Sequence, residues 1–221
     1  GSNLDLAVTM KLDPFFQLLA GHQAAIFLGN GAGGFPQRAT INTGGDGPQS
    51  IVSGDFNNDG RPDLAIVHFG SSPFFSLFDD PSNVVSVLLG NGSGGFSHAA
   101  GSPFSLPGEG SGASILARDF NGDGNLDLAV ATTGPDGSDS KVFVLLGNGS
   151  GGFQIDLEFE PGFPPRSIAA GDFDGDGLPD IAASFFCGEE VRILLNPLPP
   201  LDTTPPTVTC SASPDTLWPP N

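Results

Sequence analysis

Apolar residues fall along the chain in short runs that end in glycine-rich turns. Val84–Leu89 and Lys141–Leu146 are rich in apolar and β-branched residues, and each run leads into a Gly-Asn-Gly sequence. Runs of this kind, bounded by turn residues, are typical of β-strands. Long segments with the 3.6-residue spacing and the capping residues of helices are hard to find. The pattern therefore predicts an all-β fold.

A strand, an acidic loop and a second strand recur in this order along the chain. Asn3–Val8 also matches Asn125–Val130 residue for residue, so a further copy is expected to begin inside an acidic loop. The complete copies are Ser50–Phe56 followed by Asp63–Val67, Ser114–Phe120 followed by Asp127–Val130, and Ser167–Phe173 followed by Asp180–Ala183.

The second half of the repeating unit is a strand that closes in a Leu-Gly-Asn-Gly-x-Gly-Gly-Phe turn. It occurs at Leu28–Phe35, Leu89–Phe96 and Leu146–Phe153, whereas Val191–Pro197 keeps the strand and replaces the turn with proline. A repeat of this length is typical of one four-stranded propeller blade. Residues 1–196 are therefore predicted to form a partial β-propeller of about four antiparallel blades, the first of them truncated.

Residues 197–221 are rich in proline, which is poorly compatible with helices and central strands. We expect a linker followed by the start of a possible immunoglobulin-like module. The chain has two cysteines, Cys187 and Cys210. A single disulfide between them and two unpaired thiols are both compatible with the sequence.

The charge of the chain restricts the classes of partner that it can bind. It has 25 Asp and Glu against 7 Lys and Arg, which gives a formal net charge of −18. Phosphate backbones and anionic membrane surfaces bind to clustered cations, so neither is an expected partner. Since no stretch approaches the roughly 20 apolar residues that a spanning helix needs, membrane insertion is not expected either.

Each acidic loop repeats one pattern of oxygen-bearing residues that suits calcium. Side chains with oxygen occupy positions 1, 3, 5 and 9, glycine occupies position 6, and position 7 can offer its backbone carbonyl. About three calcium ions are therefore expected. The candidate ligands are Asp55, Asn57, Asp59, Arg61 and Asp63, then Asp119, Asn121, Asp123, Asn125 and Asp127, then Asp172, Asp174, Asp176, Leu178 and Asp180, with Arg61, Asn125 and Leu178 offering only the carbonyl.

The acidic loops allow two other interpretations. An EF-hand needs glutamate at position 12, but Ile66, Val130 and Ala183 stand there, so the ninth-position aspartate is expected to close the shell instead. Ordinary Asx-rich turns are the second interpretation. Three copies with fixed spacing favour calcium, because a turn does not need several carboxylates that repel each other.

The motif Asp-Phe-(Asn/Asp)-x-Asp-Gly-x-x-Asp-(Leu/Ile)-Ala, followed by the glycine-rich turn, resembles the FG-GAP family, which includes VCBS-type repeats of bacterial surface proteins. The resemblance covers about residues 3–196. It implies an integrin-like β-propeller with calcium in loops between the first two strands of its blades. Because such propellers usually have seven blades, about four units imply further blades or self-association to complete the ring.

The resemblance is compatible with several functions, since the fold also occurs in lectins and polysaccharide lyases. The first expectation is a secreted or cell-surface, calcium-binding module for adhesion to an unknown protein or glycan. The alternative is a lectin or the catalytic propeller of a polysaccharide lyase or hydrolase. No nucleophile motif or converging charged cluster stands out, so an enzyme is not expected.

Overall fold

The structure is a computed structural model that describes residues 4–10, 22–70, 83–108, 110–134, 137–185 and 190–197. Every regular element among these residues is a β-strand, and no described helix could span a membrane. The segment 198–221 and both cysteines lie outside the described residues, so the predictions for the linker, the immunoglobulin-like module and the disulfide stay predictions.

Fifteen described strands form four antiparallel sheets. The first sheet contains β1 (Leu6–Met10), β2 (Gln23–Leu28) and β3 (Gln37–Asn42). The second contains β4 (Pro48–Gly54), β5 (Asp63–His68), β6 (Val84–Gly90), β7 (Phe96–His98) and β8 (Phe104–Ser105). The third contains β9 (Ser111–Arg118), β10 (Asp127–Thr133), β11 (Lys141–Gly147) and β12 (Phe153–Phe159), and the fourth contains β13 (Pro165–Gly171), β14 (Asp180–Phe185) and β15 (Val191–Leu194).

Strands follow one another across each sheet in chain order, as hairpin connections require. The one addition is β8, which pairs with β6 beside β7. The first strands of successive sheets pack side by side, β4 against β9 and β9 against β13. Antiparallel sheets repeated side by side with their first strands adjacent are the arrangement of blades in a β-propeller. The predicted fold class is confirmed, although the described sheets have three to five strands.

The core lies in layers between neighbouring sheets. In β10, Leu128 and Val130 face the second sheet, whereas Ala129 and Ala131 face the fourth. All four side chains are fully buried. The same two-sided burial is found in β5. Both faces are apolar because an inner blade has a neighbour on either side. This stacking places the loops between first and second strands at one edge of the second, third and fourth sheets.

Candidate metal centres

The three acidic loops connect the first strand of a blade to its second strand. They link β4 to β5, β9 to β10 and β13 to β14. Their sixth residues, Gly60, Gly124 and Gly177, have φ angles of 80°, 86° and 93°. This left-handed conformation favours glycine, and no other atom lies within 4 Å of where a Cβ would stand. Glycine is thus required by the backbone rather than by crowding.

The first aspartate of each loop holds the turn closed. Asp55 accepts hydrogen bonds from the N–H of Asp59 through Oδ1 (3.1 Å) and from the N–H of Gly60 through Oδ2 (2.8 Å). Asp119 and Asp172 accept from the corresponding glycines, Gly124 and Gly177. These bonds span four or five residues and close the loop as a whole, in contrast to the two-residue span of an Asx turn. A carboxylate has about four lone-pair sites, so each of these side chains keeps acceptor capacity for a cation.

The fourth sheet brings three carboxylates together. One oxygen each from Asp172, Asp174 and Asp176 lies within 4.8 Å of the other two, and all three residues are exposed. No other such group of three or more His, Cys, Asp and Glu side chains occurs among the described residues. Three hard oxygens in one exposed loop form a donor set that suits calcium.

The other two loops carry an amide at the third position, which changes their charge. Asn57 Nδ2 donates to Asp59 Oδ2, and Asn121 Nδ2 donates to Asp123 Oδ2, at 3.2 Å each. Partial burial raises the pKa of Asp123, but hydrogen bonds from Asn125 and Asn121 outweigh it, so the pKa lies below its usual value. These loops resemble the fourth sheet's loop in shape but hold one carboxylate fewer.

The ninth-position aspartates have a structural role that the sequence does not reveal. Asp63, Asp127 and Asp180 are fully buried. Asp127 accepts the N–H of Phe120 through Oδ2 and the N–H of Gly147 through Oδ1, both at 2.8 Å. Asp63 binds Phe56 and Gly90 in this way, and Asp180 binds Phe173 and Asn196. Each aspartate thus ties its loop to the end of the third strand.

The two hydrogen bonds that each ninth-position aspartate accepts are called its clamp below. The clamp is compatible with the predicted role of this aspartate as a metal ligand. Both carboxylate oxygens are engaged, yet each retains a second lone pair. Burial raises the pKa of Asp127 and that of Asp63. Repulsion from Asp123 and Asp119 adds to the rise at Asp127, and repulsion from Asp59 and Asp55 adds to that at Asp63. The ninth carboxylate therefore lies within the negative field of its loop, where a cation would relieve the repulsion.

Replacing Asp180 with asparagine is expected to lower the free energy of unfolding by about 1–3 kcal/mol, even in chelator. An amide has one acceptor oxygen, so its NH2 group would face either the Phe173 N–H or the Asn196 N–H. Urea unfolding checks this, with Asp156→Asn as the control because Asp156 is exposed. Equal stability of the two variants would show that the clamp does not contribute.

Neighbouring blades are also joined at this edge. Asn58 Nδ2 donates to Asn125 Oδ1 (2.9 Å), which links the second sheet's loop to the third sheet's loop. The N–H of Gly151 donates to the Phe56 carbonyl (2.8 Å), and Asn196 Nδ2 donates to the Phe120 carbonyl (2.8 Å). Each of these two loops is thus held by the blade that follows it.

Comparison with protein-family models gives a match to the FG-GAP-like repeat in three segments, residues 4–66, 74–130 and 119–183. Comparison with curated proteins gives no match. The matched segments cover most of the chain and contain all three acidic loops. They agree with the repeated loop, turn and blade geometry of the four sheets, and the chain therefore belongs to the FG-GAP-like repeat family.

Proposed function

We propose that the chain is an extracellular β-propeller module that binds calcium in its acidic loops and a protein or glycan partner elsewhere, without catalysis. Its family and its propeller-like fold support an interaction module. The observation that carries the metal assignment is the exposed cluster of Asp172, Asp174 and Asp176. Three like charges held this close repel one another unless a cation neutralises them.

In each loop the side chains at positions 1, 3, 5 and 9 and the carbonyl at position 7 would hold the ion. Calcium takes six to eight oxygen ligands, and waters would complete the shell. The protein's own contribution is to preform the turn, through the loop-closing hydrogen bonds that Asp55, Asp119 and Asp172 accept. The ion's role would then be structural, since it would stabilise the joint between the first two strands.

Calorimetric titration of chelator-treated protein is expected to show about three calcium sites, each accompanied by a rise in the unfolding temperature. Ligands that bind only the folded state stabilise it in proportion to their saturation. Magnesium is the control, because it keeps more of its water and is expected to bind more weakly. Absence of both binding heat and any temperature shift would refute the metal assignment.

Two reciprocal variants sharpen this titration. Asp174→Asn places at position 3 of the third loop the amide that the other two loops carry there. Asn121→Asp places a carboxylate at position 3 of the second loop, as in the third loop. Ligand charge tunes calcium affinity, so we expect the first change to weaken one site and the second to strengthen one, by roughly tenfold each. Both residues lie on the loop surface, so neither change disturbs the core.

Binding assays, rather than assays of catalytic turnover, would identify the partner. The lack of a recognisable nucleophile motif and the scattering of the seven basic residues support a binding module over an enzyme. A glycan array and a panel of extracellular matrix proteins, each tested with calcium and with chelator, would find the partner class. Release of product from a polysaccharide would overturn the non-catalytic part of the proposal.

A further inference from the structure

Asn58 stands at position 4 of the first acidic loop, where the other two loops carry glycine. The equivalent residues, Gly122 and Gly175, have φ angles of 74° and 84°, and Asn58 has a φ of 58°. Asn58 is the one residue other than glycine with a positive φ in the part of the chain that the structure describes. Asparagine tolerates this left-handed conformation, but glycine adopts it at no steric cost. The turn itself therefore does not require asparagine, and the side chain makes the difference.

The side chain of Asn58 reaches the second acidic loop, where it begins a line of hydrogen bonds. Its Nδ2 donates to Oδ1 of Asn125 (2.9 Å), which occupies position 7 of that loop. The backbone N–H of Asn125 (2.7 Å) and its side-chain amide both donate to the carboxylate of Asp123, the candidate ligand at position 5. Asn58 itself lies between two candidate ligands of the first loop, Asn57 and Asp59. The line of hydrogen bonds therefore connects the candidate ligands of two neighbouring loops.

The glycine-rich turn of the third sheet packs against the Asn58–Asn125 pair. A Cβ on Gly149 would lie 2.4 Å from Asn125 Oδ1 and 2.6 Å from Asn58 Nδ2, so the glycine backbone lies directly against both amide groups. The N–H of Gly151, in the same turn, donates to the Phe56 carbonyl of the first loop (2.8 Å). The two amides are thus held in place by backbone packing as well as by their own hydrogen bond.

The second and third acidic loops meet in the same way but without a polar link. Gly122 takes the place of Asn58, and Leu178 takes the place of Asn125. The two residues are neighbours, since a Cβ on Gly122 would lie 3.8 Å from Leu178 Cδ2. Neither residue has a side-chain donor or acceptor. The chain therefore contains one linked pair of loops and one unlinked pair in equivalent positions.

We propose that the first and second loops bind calcium cooperatively through this line of hydrogen bonds, and that the third loop binds it independently. The inference rests on the proposed calcium function. An ion in the first loop would fix the residues on either side of Asn58, and an ion in the second would fix Asp123 and the backbone of Asn125. Ordering of one loop then reduces the conformational entropy that the other loses on binding, which is positive coupling.

A thermodynamic cycle on the full chain tests the coupling, with the NMR signals of the Gly60 and Gly124 amides reporting occupancy of the first and second loops. Asp59→Ala removes a candidate ligand from the first loop, and Asp59 is exposed, so the core stays intact. Asn58→Gly removes the link and installs the residue that the other loops carry there. We expect Asp59→Ala to weaken calcium binding at the second loop about fivefold more in the parent chain than in the Asn58→Gly chain, as one ordinary hydrogen bond would give.

The comparison of two backgrounds isolates the hydrogen bonds from electrostatics. Removal of Asp59 changes the charge near the second loop, and the loss of an ion from the first loop changes it further. These effects are the same with and without the Asn58 side chain, so they cancel in the ratio. Because coupling is reciprocal, Asp123→Ala should weaken the first loop by a similar excess in the parent chain.

The third loop is the matched control. Asp176→Ala removes its position-5 carboxylate, as Asp59→Ala does in the first loop, and is expected to leave calcium affinity at the second loop unchanged within about twofold. Asn125→Leu installs the residue that the third loop carries at position 7 and keeps the backbone carbonyl. It breaks the link from the other side, so it should abolish the coupling as Asn58→Gly does.

The outcomes separate this inference from the proposed function. An equal or larger effect of Asp59→Ala in the Asn58→Gly chain would overturn the coupling and leave the calcium assignment intact. Equal coupling of the second loop to the first and to the third would overturn it as well. Absence of calcium binding at both loops of the parent chain would refute the proposed function, and the coupling with it.

Discussion

In the absence of calcium, the protein is expected to become more stable as the pH falls from about 6 to about 4, by up to about 3 kcal/mol. The cause is Asp127, whose pKa is raised to about 6 because burial outweighs the two N–H hydrogen bonds that lower it, and repulsion from Asp123 and Asp119 adds to the rise. An unfolded aspartate has a pKa of about 3.9. Between these values the folded state binds more protons, so acidification favours it.

The opposite dependence is common, since most carboxylates are stabilised as anions in the folded state. Burial also raises the pKa of Asp63, which adds in the same direction. The lowered pKa of Asp123 acts with the opposite sign, but only below about pH 4, where the unfolded carboxyl gains its proton. The window between about pH 4 and pH 6 therefore isolates the buried clamps.

Urea unfolding in chelator across this window measures the effect. Asp127→Asn removes the titrating group, so the variant is expected to lose most of the rise. With saturating calcium the dependence should weaken or reverse, because a cation favours the ionised carboxylate and competes with the proton. A stability that falls steadily on acidification in chelator would refute the assignment to Asp127.

The blades and the acidic loops could be predicted because their signals are local. The four apolar residues Leu128–Ala131 predict a strand that is buried on both faces, as β10 is, and Gly124 predicts the left-handed turn. Three repetitions of the loop then reinforce each assignment. Short-range pattern and turn chemistry are sufficient where an element is determined by its own residues.

The clamps could not be predicted, because their partners are distant in sequence. Asp63 binds the N–H of Gly90 across the blade, and backbone groups carry no residue-specific signal. The one hint was the recurrence of glycine at the end of the third strand. A Cβ on Gly147 would lie 2.2 Å from the Leu126 carbonyl oxygen, so the third sheet needs glycine at this place, whereas Asn196 takes the equivalent place in the fourth sheet.

The exposure of Phe173 could not be predicted from the sequence either, because Phe56, Phe120 and Phe173 occupy identical positions in the motif. Phe56 and Phe120 are at most 2% exposed, whereas Phe173 is 52% exposed. A described sheet follows the loops of Phe56 and Phe120 but not that of Phe173, so the difference in exposure does not arise from the local sequence. One motif can therefore serve as core in two loops and as surface in the third.

This contrast predicts the largest difference between two like substitutions in the chain. Phe120→Ala is expected to lower the free energy of unfolding by about 3–5 kcal/mol, because it removes a ring from the layer between the third and fourth sheets. Phe173→Ala is expected to cost below about 1 kcal/mol, since its ring is half exposed. Both changes keep the backbone N–H that binds the ninth aspartate.

Urea unfolding of the two variants measures this difference directly. A similar loss of unfolding free energy in both variants would show that the Phe173 ring is packed as closely as the Phe120 ring, which would contradict its half-exposed position.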